Sequence, residues 1–210
     1  DVDIAQAIAD ELGVTLVKEN VKFDTIVESV KTGKADIGAT GMTITDERKD
    51  AVSFSVPYIQ SVQYIVVPED ADVEVVEDLK GKNIGVQLGT TGDFIMTDEV
   101  NGTEDAEGVL QDSDAVVSQY PNAIEAAQDM LAGRLDAVVI DKLPAESIVN
   151  NNTGLKCFEV VYKNGDKTDE EYGIAVAQEN EDLLEVVDKV VKKLIEDGKI
   201  DEFVLNHSNA

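Results

Sequence analysis

Residues 30–37 read Val-Lys-Thr-Gly-Lys-Ala-Asp-Ile, and residues 130–137 read Met-Leu-Ala-Gly-Arg-Leu-Asp-Ala. Both stretches have the pattern of a helix end, a glycine stop, a basic residue and an aspartate that opens an apolar strand. Between the two copies, Pro68 and the acidic residues up to Asp78 interrupt the pattern, which is typical of a domain boundary. The repeated stretch therefore predicts an α/β protein built from two units of related plan.

The same alternation of helix and strand continues along the chain. Apolar residues at helical spacing predict helices that begin near residues 4, 23, 46, 93, 122 and 183. Apolar or β-branched runs predict strands over residues 14–17, 35–41, 60–67, 83–87, 115–117, 135–140 and 172–177. Asn122 and Glu125 predict a capping box, and residues 162–165 predict a hairpin-type turn before the last strand.

Composition excludes several classes of function. The 210 residues carry a formal net charge of −27 at pH 7, which argues against nucleic acid and against an anionic membrane surface as partners. No apolar run approaches the ~18 residues of a membrane-spanning helix and no signal peptide is visible, so we expect any leader to have been removed. Cys157 is the single cysteine and is expected to be a packing residue. The acidic loop 101–108 lacks EF-hand spacing, and we predict no metal and no cofactor.

Residues 41–48, Gly-Met-Thr-Ile-Thr-Asp-Glu-Arg, follow one predicted strand and open a predicted helix. Thr45 suits the N-cap, but Arg48 stands where a capping box has Glu or Gln. A cation in the first turn opposes the helix dipole by a few tenths of a kcal/mol. We therefore predict an anion held between the Arg48 guanidinium and the free N–H groups of the helix start. The alternative is a solvated surface arginine.

Polar groups at the predicted strand ends define a candidate ligand site, because ligands of open α/β sheets bind outside the carboxyl ends of the strands. The first lobe offers the Thr43 hydroxyl, the Gly41 carbonyl and Arg48. The second lobe offers the backbone donors of residues 89–92, Gly-Thr-Thr-Gly, and the carboxylate of Asp141. A small zwitterion such as an α-amino acid matches both sets of groups. Phe23 is a candidate apolar face for this ligand, with a core position as the alternative.

Four stretches carry a resemblance to a known family: residues 1–5; residues 41–48 with 54–55 and 57–58; residues 81–82 with 85–86 and 89–91; and residues 136–141. In their order and spacing these stretches closely resemble the polar amino acid-binding proteins of ABC importers, which are bacterial extracellular solute-binding proteins. The resemblance covers nearly the whole chain. Members of this family have two α/β lobes joined by two crossovers and close on the ligand like a hinged trap.

The resemblance implies a two-lobed periplasmic-binding-protein-like fold of type II, in which each lobe has a mixed, mostly parallel sheet flanked by helices, with two crossover hinges. Lobe one would comprise residues 1–66 and 174–210, and lobe two residues 67–173. Family members carry an N-terminal first strand before the equivalent of Asp1, so we expect this strand to be missing here. The strands at 14–17 and 36–39 would then close on each other, or lobe one would be distorted with an incomplete pocket. We expect a monomer, with a strand-exchanged dimer as the alternative.

The resemblance also assigns roles to residues. Arg48 and the Thr91 N–H, in the loop with Thr90, would hold the ligand carboxylate. The ammonium would be held by Asp141, Thr43 and the Gly41 carbonyl. Phe23 would stack on the ligand side chain, and Gln87 matches a position that often touches it.

The function implied is the substrate-binding component of an ABC-type amino acid importer, outside the cytoplasm in the periplasm or as a cell-surface lipoprotein. Its partners would be a polar L-amino acid and a membrane permease, with no direct membrane insertion. One alternative is the extracytoplasmic ligand-sensing domain of a receptor. Another is a cleft enzyme of the same fold, similar to a dehydratase. His207, near the C-terminus, is the sole histidine, and Asp141 fits an ammonium partner better than a catalytic base.

Overall fold

The computed structural model describes residues 1–208, and the chain divides into two compact units. Unit 1 combines Asp1–Ser61 with the segment from Glu170 onward, and unit 2 is the continuous segment Val62–Asp169. The chain thus passes from one unit to the other twice, after Ser61 and after Asp169. These positions lie a few residues before positions 66 and 173, where the sequence led us to expect the boundaries.

Helices and strands alternate through both units. The α-helices are α1 (Val2–Leu12), α2 (Ile26–Lys31), α3 (Asp46–Lys49), α4 (Thr91–Asn101), α5 (Ala123–Leu131), α6 (Lys142–Asn151), α7 (Glu181–Glu196) and α8 (Lys199–Ser208). The strands are β1 (Ile37–Gly38), β2 (Val52–Phe54), β3 (Ile59–Ser61), β4 (Gln63–Pro68), β5 (Asn83–Gln87), β6 (Val116–Tyr120), β7 (Ala137–Asp141), β8 (Leu155–Glu159), β9 (Glu170–Tyr172) and β10 (Ala175–Ala177). None of the helices in the described part of the chain is long and apolar enough to cross a membrane.

Side-chain caps fix several of these helix starts. The Thr45 hydroxyl accepts the Arg48 N–H at 3.2 Å, which confirms Thr45 as the cap of α3. Asn122 is confirmed as the N-cap of α5, because its Oδ1 accepts the Glu125 N–H at 3.0 Å. The predicted capping box is only half formed, since the Glu125 carboxylate accepts from the Asn122 side-chain amide at 2.7 Å and not from the Asn122 backbone N–H. These bonds join residues three positions apart, and local sequence therefore determines them.

Unit 1 contains two small antiparallel sheets. Strand β10 lies between β1 and β2 in one sheet, and β3 pairs with β9 in the other. The predicted strand 172–177 is therefore wrong as one element, because it divides at Gly173 and Ile174 between β9 and β10 and belongs to both sheets. The expected mostly parallel character is also not found in this unit, since every described pair is antiparallel. Helices α1 and α7 pack together and supply Ile4, Ile8, Val187 and Val191 to the core of the unit.

The predicted strand at residues 14–17 does not form. After the Val14 N–H, which donates to the Ala9 carbonyl, residues 15–21 make no backbone-to-backbone hydrogen bond in the described structure. Val17 is 78% exposed, so its apolar side chain contributes nothing to a core. Residues 14–17 and 34–37 instead line a cavity of about 570 Å³, which Ile8 and Leu12 of α1 also line. The two segments predicted to close on each other are thus not paired, because no strand ladder joins them.

Unit 2 has one mixed five-stranded sheet in the order β6-β5-β7-β4-β8. Strand β5 is parallel to both β6 and β7, whereas β4 is antiparallel to β7 and β8. The central strands are buried on both faces and read as nearly continuous apolar runs, as parallel strands covered by helices do. Because β5 and β7 are parallel, their carboxyl ends, Gln87 and Asp141, lie at the same edge of the sheet. Gln63, at the start of β4, pairs directly with Asp141 at that edge.

Candidate functional site

In unit 1, Arg48 and Thr43 form one buried polar cluster. Arg48 is only 7% exposed, and its Nη1 donates to the Thr43 carbonyl at 2.7 Å. The Thr43 hydroxyl in turn donates to Oε2 of Glu170 at 3.1 Å. Thr43 is held in place by its bridge to Tyr172 beside β9. The alternative of a solvated surface arginine is wrong, because the side chain is buried and oriented by a backbone carbonyl.

The predicted reason for an anion at Arg48 needs correction. Helix α3 is a single turn that ends at Lys49, so Arg48 lies in its last turn as well as its first, and a cation is favourable at a helix C-terminus. The Arg48 N–H is already bonded to the Thr45 hydroxyl. The short helix therefore provides no separate anion site, and any attraction for an anion comes from the guanidinium itself.

Phe23 and Gly41 lie around this cluster. The Arg48 guanidinium carbon is 5.6 Å from the centroid of the Phe23 ring, within the range of a cation–π contact. Gly41 has φ 57°, a left-handed conformation that favours glycine. A Cβ at this position would lie 3.4 Å from the Tyr172 ring. Phe23 also packs with the small core that contains Val30 and Met42, so its core role and its contact with Arg48 coexist.

In unit 2, the loop 89–92 leads from β5 into α4 and is closed by a buried aspartate. The carboxylate of Asp93, which is 2% exposed, accepts the Gly89 N–H at 2.9 Å. The Thr90 hydroxyl accepts the Asp93 N–H and donates to the Gln87 carbonyl at 2.8 Å. Part of the predicted anion-binding nest is therefore occupied by Asp93, and the Thr90 hydroxyl serves to cap α4. The first-turn N–H groups of Thr91 and Gly92 have no acceptor in the described structure.

Asp141 is joined to this loop through Gln63. The Gln63 amide nitrogen donates to Oδ1 of Asp141 and, at 3.0 Å, to the Thr91 hydroxyl. Two residues predicted from separate motifs, Thr91 and Asp141, thus share one hydrogen-bonding partner. Gln87 lies half-buried at the end of β5, and its side chain makes no hydrogen bond in the described part of the chain.

Besides Asp93, the structure adds Glu170 and Gln63 as buried polar residues that the sequence analysis did not identify. Both contact a predicted residue that is far away in sequence. Neither belongs to a motif, and Glu170 is one of many acids in this chain, so no local signal distinguishes them. Asp93 carried a signal, since an acid three residues after Thr90 completes an N-terminal cap.

Chemically, each unit contains one polar cluster of candidate binding groups. Unit 1 combines a fixed guanidinium with a hydroxyl and a buried carboxylate, whereas unit 2 combines helix N–H donors with a carboxylate. Among residues 1–208, no three His, Cys, Asp or Glu side chains converge as metal ligands. Burial, with a smaller contribution from Glu146, raises the pKa of the Cys157 thiol, so this thiol stays protonated at neutral pH. The guanidinium, the carboxylates and the helix N–H donors of the two clusters suit the recognition of a zwitterion.

The fold is that of amino acid-binding proteins, as solved structures show. The chain is 39% identical to an ancestral arginine-binding protein bound to arginine, with a TM-score of 0.82 over 96% of this chain and 84% of that one. It is 31% identical to the ABC transporter substrate-binding protein AbpA from Streptococcus pneumoniae bound to L-arginine, with a TM-score of 0.86 over 99% and 82% of the two chains. The expected fold class is therefore confirmed.

The chain belongs to the bacterial extracellular solute-binding proteins, family 3, whose family model matches residues 1–208. Among curated relatives, it is 30% identical to the L-cystine-binding protein TcyJ of Escherichia coli K12 over 203 residues, which are 95% of this chain and 70% of the relative. The family expected from the resemblance is confirmed.

Proposed function

We propose that this chain is the substrate-binding component of an ABC-type amino acid importer and binds a polar L-amino acid. The observation that carries this proposal is the presence in each unit of a polar cluster whose side chains are oriented by hydrogen bonds, around Arg48 and Thr43 in unit 1 and around Asp141 and Thr91 in unit 2. Arg48 and the Thr91 N–H bind the ligand carboxylate. Asp141, the Thr43 hydroxyl and the Gly41 carbonyl bind the ammonium. Complementary charges of this kind at fixed positions define an α-amino acid better than any single group does.

The similar proteins guide the choice of ligand. Both solved structures compared above are bound to arginine, the curated relative TcyJ is a cystine-binding protein, and another relative is a probable histidine-binding protein. The first ligand to test is therefore L-arginine, followed by cystine and histidine. The strongly negative net charge also favours the approach of a cationic amino acid over an anionic one. Phe23 and Gln87 are the proposed contacts of the ligand side chain.

The proposed setting follows from the family. The chain acts outside the cytoplasm, in the periplasm or at the cell surface, and delivers its ligand to a membrane permease. It binds the ligand without catalysing a reaction.

The test is a thermal-shift screen of the purified chain against the common L-amino acids, followed by calorimetry on the hits. A ligand at about a hundred times its Kd adds roughly 2.7 kcal/mol of stability. The matched control for L-arginine is agmatine, which keeps the side chain and an amine but lacks the carboxylate. Stabilisation by an amino acid and not by its decarboxylated control supports the proposal. The absence of a shift with every amino acid at millimolar concentration contradicts it.

A further inference from the structure

Gln63 has a fully buried side chain that contacts Thr91 and Asp141 in the polar cluster of unit 2, and it belongs to no motif. Its exposed fraction is 0%, although glutamine is usually found at the surface. Its backbone is fixed on both sides, because its N–H donates to the Thr168 hydroxyl at 2.8 Å and its carbonyl accepts the Val160 N–H at 2.8 Å. The side chain therefore starts from a rigid point at the beginning of β4.

The chemistry of the neighbours determines which end of the amide faces Asp141. A carboxylate only accepts hydrogen bonds, so the group next to Asp141 must be the NH₂ of Gln63 and not its oxygen. The same NH₂ group donates its second hydrogen bond to the Thr91 hydroxyl, with 3.0 Å between the nitrogen and the oxygen. The amide is thus held by two acceptors on two different elements, β7 and α4.

The first turn of α4 approaches the Gln63 amide closely at Gly92. A Cβ on Gly92 would lie 2.6 Å from Oε1 of Gln63 and 3.3 Å from the Val139 carbonyl. Glycine at this position therefore lets the first turn of α4 pack directly on the Gln63 side chain. Since Gln63 and Asp141 are direct partners in the β4–β7 ladder, their side chains extend from the same face of the sheet.

We infer that Gln63 is a positioning residue that holds the Asp141 carboxylate in the orientation needed to bind the ligand ammonium. The inference rests on the proposed function and deepens it. The Gln63 amide donates to one carboxylate oxygen of Asp141 and thereby restricts the rotation of the carboxylate. Without this donor, Asp141 loses its link through Gln63 to the Thr91 hydroxyl of α4.

The test is a double-mutant cycle for amino acid affinity, measured by calorimetry on the full chain. Gln63→Met keeps the length and burial of the side chain but removes both N–H donors, and Asp141→Asn removes the charge. We expect Gln63→Met to weaken binding about 10- to 100-fold in the unsubstituted background, the loss typical of a hydrogen bond to a charged group. In the Asp141→Asn background, the same substitution should change affinity less than about threefold, because coupled residues are not additive.

The control is Tyr162→Phe, which removes a donor to the carboxylate of Glu99, 2.7 Å away at the other end of α4. It should leave affinity unchanged in both backgrounds. Equal losses from Gln63→Met in the two backgrounds would indicate a purely structural effect and overturn the inference, as would an affinity equal to that of the unsubstituted chain. If the unsubstituted chain binds no amino acid, the proposed function fails and the inference falls with it, and this result differs from binding without coupling.

Discussion

Replacing Arg48 by alanine should remove most of the affinity for an amino acid and also cost stability. The interactions in unit 1 that are lost with the guanidinium include the hydrogen bond to the Thr43 carbonyl at 2.7 Å and the contact with the Phe23 ring at 5.6 Å. A hydrogen bond from a charged donor contributes about 1.5–3 kcal/mol, and a cation–π contact adds about 0.5–2 kcal/mol. Because such terms are not fully additive, we expect the free energy of unfolding to fall by about 2–4 kcal/mol.

The loss of binding has a separate origin. The ligand carboxylate would lose its charged partner, and removing one member of a buried charge pair costs about 2–5 kcal/mol, equivalent to about 30- to 4,000-fold in Kd. Lys49→Ala is the matched control, because it removes the same charge one position further along α3. Lys49 is exposed and its side chain pairs with Asp46 at 3.0 Å, so its removal should change stability by about 0.5 kcal/mol or less and leave affinity unchanged.

Urea unfolding measures the change in stability, and calorimetry measures the change in amino acid affinity, both on the folded variants. A Kd within about threefold of the unsubstituted chain would refute Arg48 as the carboxylate partner. Equal stability losses for Arg48→Ala and Lys49→Ala would refute the structural role of the buried guanidinium. Partial recovery of affinity in Arg48→Lys would show that the positive charge matters more than the bidentate geometry of the guanidinium.

Three further outcomes are expected. Asp141→Asn should weaken amino acid binding at least tenfold by calorimetry while the urea midpoint moves little, since the shape is kept; a large stability loss with unchanged Kd would remove Asp141 from the site. Gly92→Ala should weaken binding although alanine is the better helix former by about 1 kcal/mol, because the new Cβ displaces the Gln63 amide; tighter or unchanged binding would show that the helix start adjusts without cost. Burial, reinforced by the hydrogen bond to Glu99, raises the pKa of the Tyr162 hydroxyl above its usual value. The contribution of neutral Tyr162 to the free energy of unfolding is therefore complete below about pH 10 and is lost as the pH rises further. Tyr162→Phe should flatten this alkaline decrease in urea-unfolding stability, and an unchanged slope would contradict the assignment.

The parts of the structure that depend on neighbouring residues could be predicted from the sequence. Thr45 and Asn122 cap their helices through bonds to residues three positions away, and the apolar runs of β5 and β7 identify buried strands without further information. The candidate site residues Arg48 and Asp141 were proposed in the same way, from their places after predicted strands. The structure brings Thr91 and Asp141 together within unit 2.

Features that depend on distant residues could not be predicted. Residues 14–17 have the composition of a strand, but a strand forms only where a partner supplies its hydrogen bonds, and no strand in the described part of the chain pairs with them. Glu170 reaches Thr43 across 127 positions, and Gln63 reaches Asp141 across 78. No periodicity or short motif records such contacts, because each is created by the topology of the folded chain.

The order of the strands in unit 1 has a consequence for how the protein is made. The middle strand of its main sheet, β10, comes from the last part of the chain, whereas its two neighbours, β1 and β2, come from the first part. Because all of unit 2 lies between β2 and β10 in the chain, β1 and β2 cannot pair with their shared partner until that whole segment has emerged. Unit 2 is continuous in sequence and can fold during this interval, so its completion would precede that of unit 1. The strand edges of β1 and β2 that pair with β10 stay open during this interval, and an open strand edge is a template for pairing with another chain.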